Sequence, residues 1–422
     1  MKNEWCIITK LNNIPINTLV GILSTFVLIV VTILLLITHG LTFPIYLDEN
    51  FYNKTILEFY YHPDLHTLKY YREFNPPLPY ISYAIWAKLF GLSLPRLRLF
   101  TLILYMSSCW LWIRILSRLG YDRLFFIIGS ILFILNPYIL SNAIVIYNDL
   151  FSVLFVLIFI NCILKNKYYG LLLSGLALVY SRQYNEIIVF SYWLVLVYDC
   201  FKNKKILHLN QLYILNFIGL SILPLFLFWG GISPISTIIA TIAPDTPIYQ
   251  FSSIFVYIYC FSVYSFPLVF YILVKKKLFQ DSTTIKVLSV CFITSTICLC
   301  IWPIFPSPSA LKDGSDNVGY VHRFLLFIFR NPIVVNYLFS IPLSITFYVF
   351  YHIIKHIKIL DKYCLWYVCS FIIFLIVMPF SFQKWEKYFM IELPLVLLLL
   401  LEMIKKKNLE RAFEKNISNK FF

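Results

Sequence analysis

The sequence predicts an all-α, polytopic integral membrane protein, and three observations carry that prediction. Hydrophobic residues fill 60% of the 422 positions and charged residues 13%, with a mean hydropathy of +0.80; an ordinary soluble domain carries about 25% charged residues. Apolar runs recur from Thr18 to Leu401 with no polar stretch long enough to fold separately. Basic residues gather at every second junction between those runs. Length alone permits roughly two or three soluble domains, but the pattern reads as one membrane domain over residues 1–422. The formal net charge of +15 would suggest nucleic acid as a partner of a soluble chain. Here the Lys and Arg mark the ends of apolar runs, and no nucleic-acid partner is expected. Ten cysteines show no paired CxxC spacing and fall mostly inside apolar segments, as buried small hydrophobes do.

Crossing the hydrocarbon core takes about 20 apolar residues. On that criterion about 12 transmembrane helices are expected, over 17–39, 97–117, 123–142, 148–164, 168–183, 185–201, 211–230, 250–274, 285–304, 332–353, 363–381 and 388–404. The first run exceeds the roughly 7–15 residues of a signal-peptide h-region, and Thr42-Phe43-Pro44 is a poor cleavage site, so a retained helix is expected. Short cytoplasmic loops carry the excess of Lys and Arg. With Lys2 and Lys10 inside, so are Arg114, Arg118 and Arg123, then Lys165 and Lys167, then Lys202, Lys204 and Lys205. Lys275, Lys276 and Lys277, then Lys355, Lys358 and Lys362, then Lys405, Lys406 and Lys407 follow the same rule, which makes both termini cytoplasmic.

The opposite face has longer loops, rich in aromatics and proline: 44–96, 142–147, the junction at Arg182, 231–250, 305–331 and 381–387. The first, 44–96, far exceeds the usual connection of about 4–6 residues. Within it, 50–61 and 80–90 have apolar residues at helical spacing and read as amphipathic helices in the interface plane, either a platform for a lipid-borne substrate and membrane lipid or simple packing over the bundle.

Every cluster capable of chemistry lies on this face. Adjacent Asp48 and Glu49 are costly to keep ionised beside a low dielectric unless their charge or basicity is used. They read either as a catalytic pair, with a base that takes a proton from an acceptor hydroxyl, or as caps of the following helix. Asp149 reads either as a functional acid or, with Asn148, as an N-cap. Arg182 offers a planar fork of donors suited to a phosphate, to which Lys384 and Lys387 add point charges; the alternative is local pairing of Arg182 with Glu186 and Lys387 with Glu386. In 305–331, His322 and Arg323, near Lys312, Asp313 and Asp316, read as a further phosphate ligand or as solvated loop residues. No HExxH, GxSxG, P-loop or GxGxxG occurs, so no metal and no cofactor is expected.

Several short elements are collinear with a known pattern: Leu47-Asp48-Glu49, Pro76-Pro77, Leu97-Arg98-Leu99-Phe100, Asn136-Pro137-Tyr138, Tyr147-Asn148-Asp149, Ser181-Arg182-Gln183-Tyr184-Asn185, Gly230-Gly231, Gln383-Lys384, Glu386-Lys387-Tyr388-Phe389 and Leu393-Pro394. In order and sidedness the chain resembles the GT-C class of membrane glycosyltransferases. More narrowly, it resembles the dolichyl-phosphate-glucose-dependent alpha-1,2-glucosyltransferase family, which adds the terminal glucose to the lipid-linked oligosaccharide of N-glycosylation.

The resemblance implies a polyprenyl- or dolichyl-phosphate sugar as donor, a lipid-linked glycan as acceptor and an inverting transfer without a metal. It implies Asp48 as base, oriented by Glu49 or Asp149, with Arg182, Lys384 and Lys387 on the leaving phosphate. It also implies the endoplasmic reticulum membrane with a lumenal site in a eukaryote, or the plasma membrane in a bacterium. The chain departs after Gly230-Gly231, where the family carries a Gly-Asp-basic segment with histidines. Here Ile232-Ser233-Pro234 follows and an acid is reached only at Asp245. A bacterial-type transferase acting on lipid A or a cell-wall glycan is the alternative within the class. Outside it stands a secondary transporter or flippase, which would place its groups near the midplane, often in repeated halves; no repeat is visible.

Overall fold

The computed structural model describes residues 14–418, apart from 47, 204–208, 235–246, 276–281, 313, 356, 358–359 and 382. Lys2, Lys10, Leu47, Lys204, Lys205, Asp245, Lys276, Lys277, Asp313 and Lys358 lie outside the described residues. Among those described, all regular structure is helical, with no strand. Six helices are long and apolar enough to cross a membrane: Ile16–Ile37, Leu94–Leu119, Leu209–Trp229, Thr284–Ile301, Pro332–Lys355 and Lys362–Phe380. The pair Ser252–Tyr264 and Phe266–Val274, bent by 74°, raises the count to seven if it forms one span. The chain is a helical integral membrane protein, and length with composition counts six or seven spans against the expected 12 or so.

The shortfall has local causes. Residues 123–142 split because Pro137 has no amide to donate and Asn136 caps a new turn, its Oδ1 accepting from the amides of Tyr138 at 3.0 Å and Ile139 at 3.3 Å. The 74° bend falls at Ser265, two residues before Pro267. Arg123–Ile134, Asp149–Leu164 and Tyr168–Val179, within expected spans, are apolar but short, and Tyr320–Phe329 adds a short apolar helix inside the expected 305–331 loop.

Lipid tails are as apolar as Leu, so helices in a membrane associate through close packing and polar contacts. Gly175 faces Ile218 so closely that a Cβ there would collide with its side chain. Thr346 donates to the Ile258 carbonyl at 2.8 Å and shares a hydrogen bond of 2.5 Å with Ser262. The Trp366 indole donates to Ser191 at 3.1 Å and to the Ile188 carbonyl at 3.2 Å.

The loops of the second face are tied to one another. The expected amphipathic helices occur at Glu49–Tyr61 and Leu78–Phe90, with the short Leu65–Tyr70 helix between them, and Phe51, Tyr61, Ile85, Leu89 and Phe90 stay exposed. Trp229 donates its indole N–H to the Leu68 carbonyl at 2.9 Å, and the Gln183 amide donates to the carbonyls of Phe74 and Ile232. The Gln250 amide donates to the Ser381 carbonyl at 2.6 Å.

A buried ion pair anchors the start of the first loop. Arg98, in the Leu94–Leu119 helix, meets Glu49 with Nε at 2.8 Å from Oε1 and Nη2 at 2.5 Å from Oε2, both side chains fully buried. The same guanidinium donates to the carbonyls of Leu41, Phe43 and Pro44 at 2.8, 2.5 and 3.0 Å. Glu49 also accepts from the amides of Tyr46 at 3.1 Å and Ile146 at 3.0 Å, which joins the 142–147 turn to the pin. Removing one member of a buried pair leaves an uncompensated charge and costs about 3–5 kcal/mol. Arg98→Met should therefore lower the thermal unfolding temperature in detergent more than the double change Arg98→Met with Glu49→Gln; a single variant as stable as the double would refute the pairing energy.

Candidate active site

Asp48 begins the helix Glu49–Tyr61, yet its side chain caps no amide. Its Oδ2 instead accepts from Lys387 Nζ at 3.1 Å and from the Tyr147 hydroxyl at 3.1 Å. Lys387 foremost, working against burial, holds the Asp48 carboxyl below its usual range. Asn148 and Asp149 likewise begin a helix without a side-chain cap bond, so both acids are turned away from the capping role that their positions suggested. Asp149 Oδ1 lies 2.9 Å from Arg182 Nη2, both side chains buried. The contact is an ion pair by distance, but its angles do not make a hydrogen bond, and both atoms still lack an aligned donor or acceptor. Neither local alternative is formed: Lys387 pairs with Asp48 and not Glu386, Arg182 with Asp149 and not Glu186.

The two pairs belong to one electrostatic neighbourhood, since Asp48 feels Arg182, and Lys387 feels Asp149. Tyrosines line it. Tyr52 packs on Tyr147 at 5.3 Å between ring centroids and on Tyr80 at 6.1 Å; Tyr184 packs on Tyr388 at 5.7 Å and carries the Arg182 guanidinium 5.3 Å over its ring. Lys387 sits 5.2 Å from the Tyr147 ring centroid.

Reading the sequence missed two contributors. Glu73, half-buried, interacts electrostatically with Asp48, Arg182 and Lys387, and burial foremost, then Asp48, pushes its carboxyl up to about 8. An acid three residues before Pro76-Pro77 in the long loop was the available signal. The second contributor is the support of Lys387. The adjacent Glu386 is fully buried and accepts from the hydroxyls of Tyr259, Tyr264 and Tyr138 at 2.6, 2.5 and 3.0 Å. It also accepts from the amides of Val321 and His322, each at 3.2 Å. Gly319 lies so close to Tyr138 and Glu386 that any Cβ would overlap them.

The structure distributes the remaining candidates differently. Glu49 is committed to Arg98. Lys384 is buried in the 381–387 turn, donates to Ser252 Oγ at 2.8 Å, and is pushed down to about 8 by burial; no ion pair among the described residues involves it. His322 is buried, not solvated: its Nδ1 accepts from the Val318 amide at 3.2 Å, and burial pushes it down to about 4, which leaves it neutral and unsuited to holding a phosphate. Arg323, next along the helix, is exposed. Beside the site, an apolar groove of about 870 Å³ runs between the interfacial helices, lined by Phe59, Leu68, Ile81 and Ala84 with Asp64 and Lys88 among its polar lining groups. Phe59 stacks parallel to Tyr80 at 6.5 Å, which joins the groove to the tyrosine wall. No protein-family model matches the chain, and no curated protein and no solved structure matches it either.

Glu73 gives the site a pH signature. Between its ordinary 4.5 and about 8, the folded chain holds a proton that the unfolded chain has released, so this contribution to stability is present at low pH and is lost as pH rises through that window. Thermal unfolding followed from about pH 5 to about pH 9 should show a fall that Glu73→Gln flattens; an unchanged slope in the variant would remove Glu73 from the buried group. Gly319→Ala should lower the unfolding temperature and weaken any process that needs Lys387, because the tyrosine cage around Glu386 must open to admit the methyl group.

Proposed function

We propose that the chain is a membrane glycosyltransferase that moves a hexose, glucose in the first instance, from a polyprenyl- or dolichyl-phosphate donor to a lipid-linked oligosaccharide with inversion. The observation that carries the reading is the meeting of the half-exposed Asp48 and its partner Lys387 with the buried Asp149–Arg182 pair in one tyrosine-lined site. An unneutralised acid there would be a candidate base alone; an acid held by a cation that can let go is a base with a phosphate ligand beside it.

In this mechanism the Asp48 carboxylate takes the proton of the acceptor hydroxyl, and the hydroxyl oxygen bonds to the anomeric carbon. The bond from that carbon to the phosphate oxygen breaks, and polyprenyl phosphate leaves with the electron pair. Lys387 and Arg182 meet the charge that grows on the phosphate, in a site where preorganised cations act without reorganising. Before the donor binds, Lys387 weakens Asp48 as a base. A donor phosphate competes for Lys387 and restores that basicity, so the base becomes competent only in the loaded site. Lys384, a buried lysine with no acid partner among the described residues, is a second point charge for the same anion. The apolar groove suits an isoprenoid chain entering from the membrane. The reading carries with it about 12 passes, the short apolar helices included, cytoplasmic termini, and a lumenal site in the endoplasmic reticulum of a eukaryote or an outer-facing site in a bacterial plasma membrane.

One observation favours the alternative of transport: the 74° break at Ser265, since broken helices build midplane sites in transporters. The test is transfer of radiolabelled glucose from polyprenyl-phosphate-glucose to a lipid-linked oligosaccharide by protein in detergent, with chelator present. Asp48→Asn keeps shape and removes basicity, and should reduce transfer by about 10²–10⁴-fold while leaving the protein folded. Full transfer by that variant would end the base assignment, and no transfer from glucose, mannose or aminosugar donors by the intact protein would favour transport.

A further inference from the structure

Buried polar groups without partners cost about 1–3 kcal/mol each. Such groups gather on one side of the site. Asn148 is fully buried, and neither atom of its side-chain amide has a partner. Asp149 Oδ2, Arg182 Nε, the hydroxyls of Tyr184 and Tyr257, and Ser253 Oγ are also buried and unpartnered. These side chains come from the start of Asp149–Leu164, the Arg182 junction and the Ser252–Tyr264 helix, and they share one field: Tyr184 feels Arg182 and Asp149, and Tyr257 feels Tyr184 and Tyr388. Ser253 and Tyr257, four residues apart, lie on the same face of their helix.

The set has a definite chemistry. A carboxylate oxygen and an amide oxygen accept, an amide N–H₂ and a guanidinium N–H donate, and hydroxyls do both. The Tyr184–Tyr388 pair supplies aromatic surface next to them. Neutral polyols with an apolar ring face answer that description, whereas a phosphate answers only the cations. Local structure does not use the groups, since Asn148 caps nothing and Arg182 is only partly paired.

We propose that Asn148, Asp149, Tyr184 and Tyr257 form the subsite that holds the hexose ring of the donor by its hydroxyls, while Lys387 and Arg182 take its phosphate. This rests on the transferase reading and adds to it the residues that tell a sugar-bearing lipid from a bare one. Asp149, paired with Arg182 on one oxygen and free on the other, bridges the two halves.

The test compares two probes, polyprenyl-phosphate-glucose and polyprenyl phosphate, binding to the full chain in lipid nanodiscs. Wild type should bind the sugar-bearing lipid about tenfold or more tighter. Tyr184→Phe, which removes only a hydroxyl, and Asn148→Ala should each cut that preference severalfold and leave affinity for polyprenyl phosphate unchanged. Equal wild-type affinity for both lipids would overturn the subsite while leaving the phosphate site standing. A preference that survives in both variants would overturn these residues as its source. Binding of neither lipid would instead sink the transferase reading beneath it, and the subsite with it. Tyr184→Phe guards against misfolding of the asparagine variant, because it leaves the ring packing intact.

Discussion

The Arg98–Glu49 pair is the interaction on which the rest of the loop face depends. A guanidinium in low dielectric must have its donors met, and here five acceptor contacts do so: two carboxylate oxygens and the carbonyls of Leu41, Phe43 and Pro44. That demand gathers the backbone leaving the first span into one place. Because Glu49 also accepts from the Ile146 amide, the turn that carries Tyr147, Asn148 and Asp149 is held against the same point. Asp48, one residue from the pin, then projects towards Tyr147 and Lys387. The pair that read as two catalytic acids divides its labour, one fixing the loop and one facing the site.

Charge balance within the site follows from the same low dielectric. Two carboxylates and two cations are brought together in alternating pairs, so no side chain of the four is buried with its charge unanswered. Glu73 is a third acid in a neighbourhood already balanced, and it answers by keeping its proton. The tyrosine cage on Glu386 is the counterpart one residue away: a fully buried carboxylate met by three hydroxyls and two amides instead of a cation. Tying Glu386 this firmly keeps it from competing with Asp48 for Lys387.

Fold class was legible in the sequence because it rests on composition and on the recurrence of apolar runs, properties that need no tertiary knowledge. Asp48, Asp149, Arg182 and Lys387 were legible as candidates because charges at such depth need a reason. What escaped was pairing. Nothing in the spacing of Lys387 against Asp48, 339 residues apart, distinguishes it from the adjacent Glu386, and nothing at Arg182 favours Asp149 over Glu186. His322 read either as a phosphate ligand or as a solvated loop residue, and only packing shows it buried and neutral. Length and composition count fewer spans for a related reason: Asn136-Pro137 and the Ser265 bend cut helices inside runs whose hydropathy is continuous.

The division of the site into an answered half and an unanswered half limits what it can do. On the Asp48 side the Lys387 ammonium is paired with Asp48 Oδ2, so an anion that draws off Lys387 removes the cation that holds the Asp48 carboxyl low. On the Asn148 side the polar atoms have no partner to lose, so a ligand gains there without displacement. A substrate joining an anion to a ring of hydroxyls satisfies both halves at once. On the transferase proposal, a bare anion would meet only the first and a free sugar only the second, the sugar leaving Lys387 on Asp48. On the same proposal, selectivity and activation would be one event, because the ligand that fills the unpartnered groups would also carry the charge that separates Lys387 from Asp48.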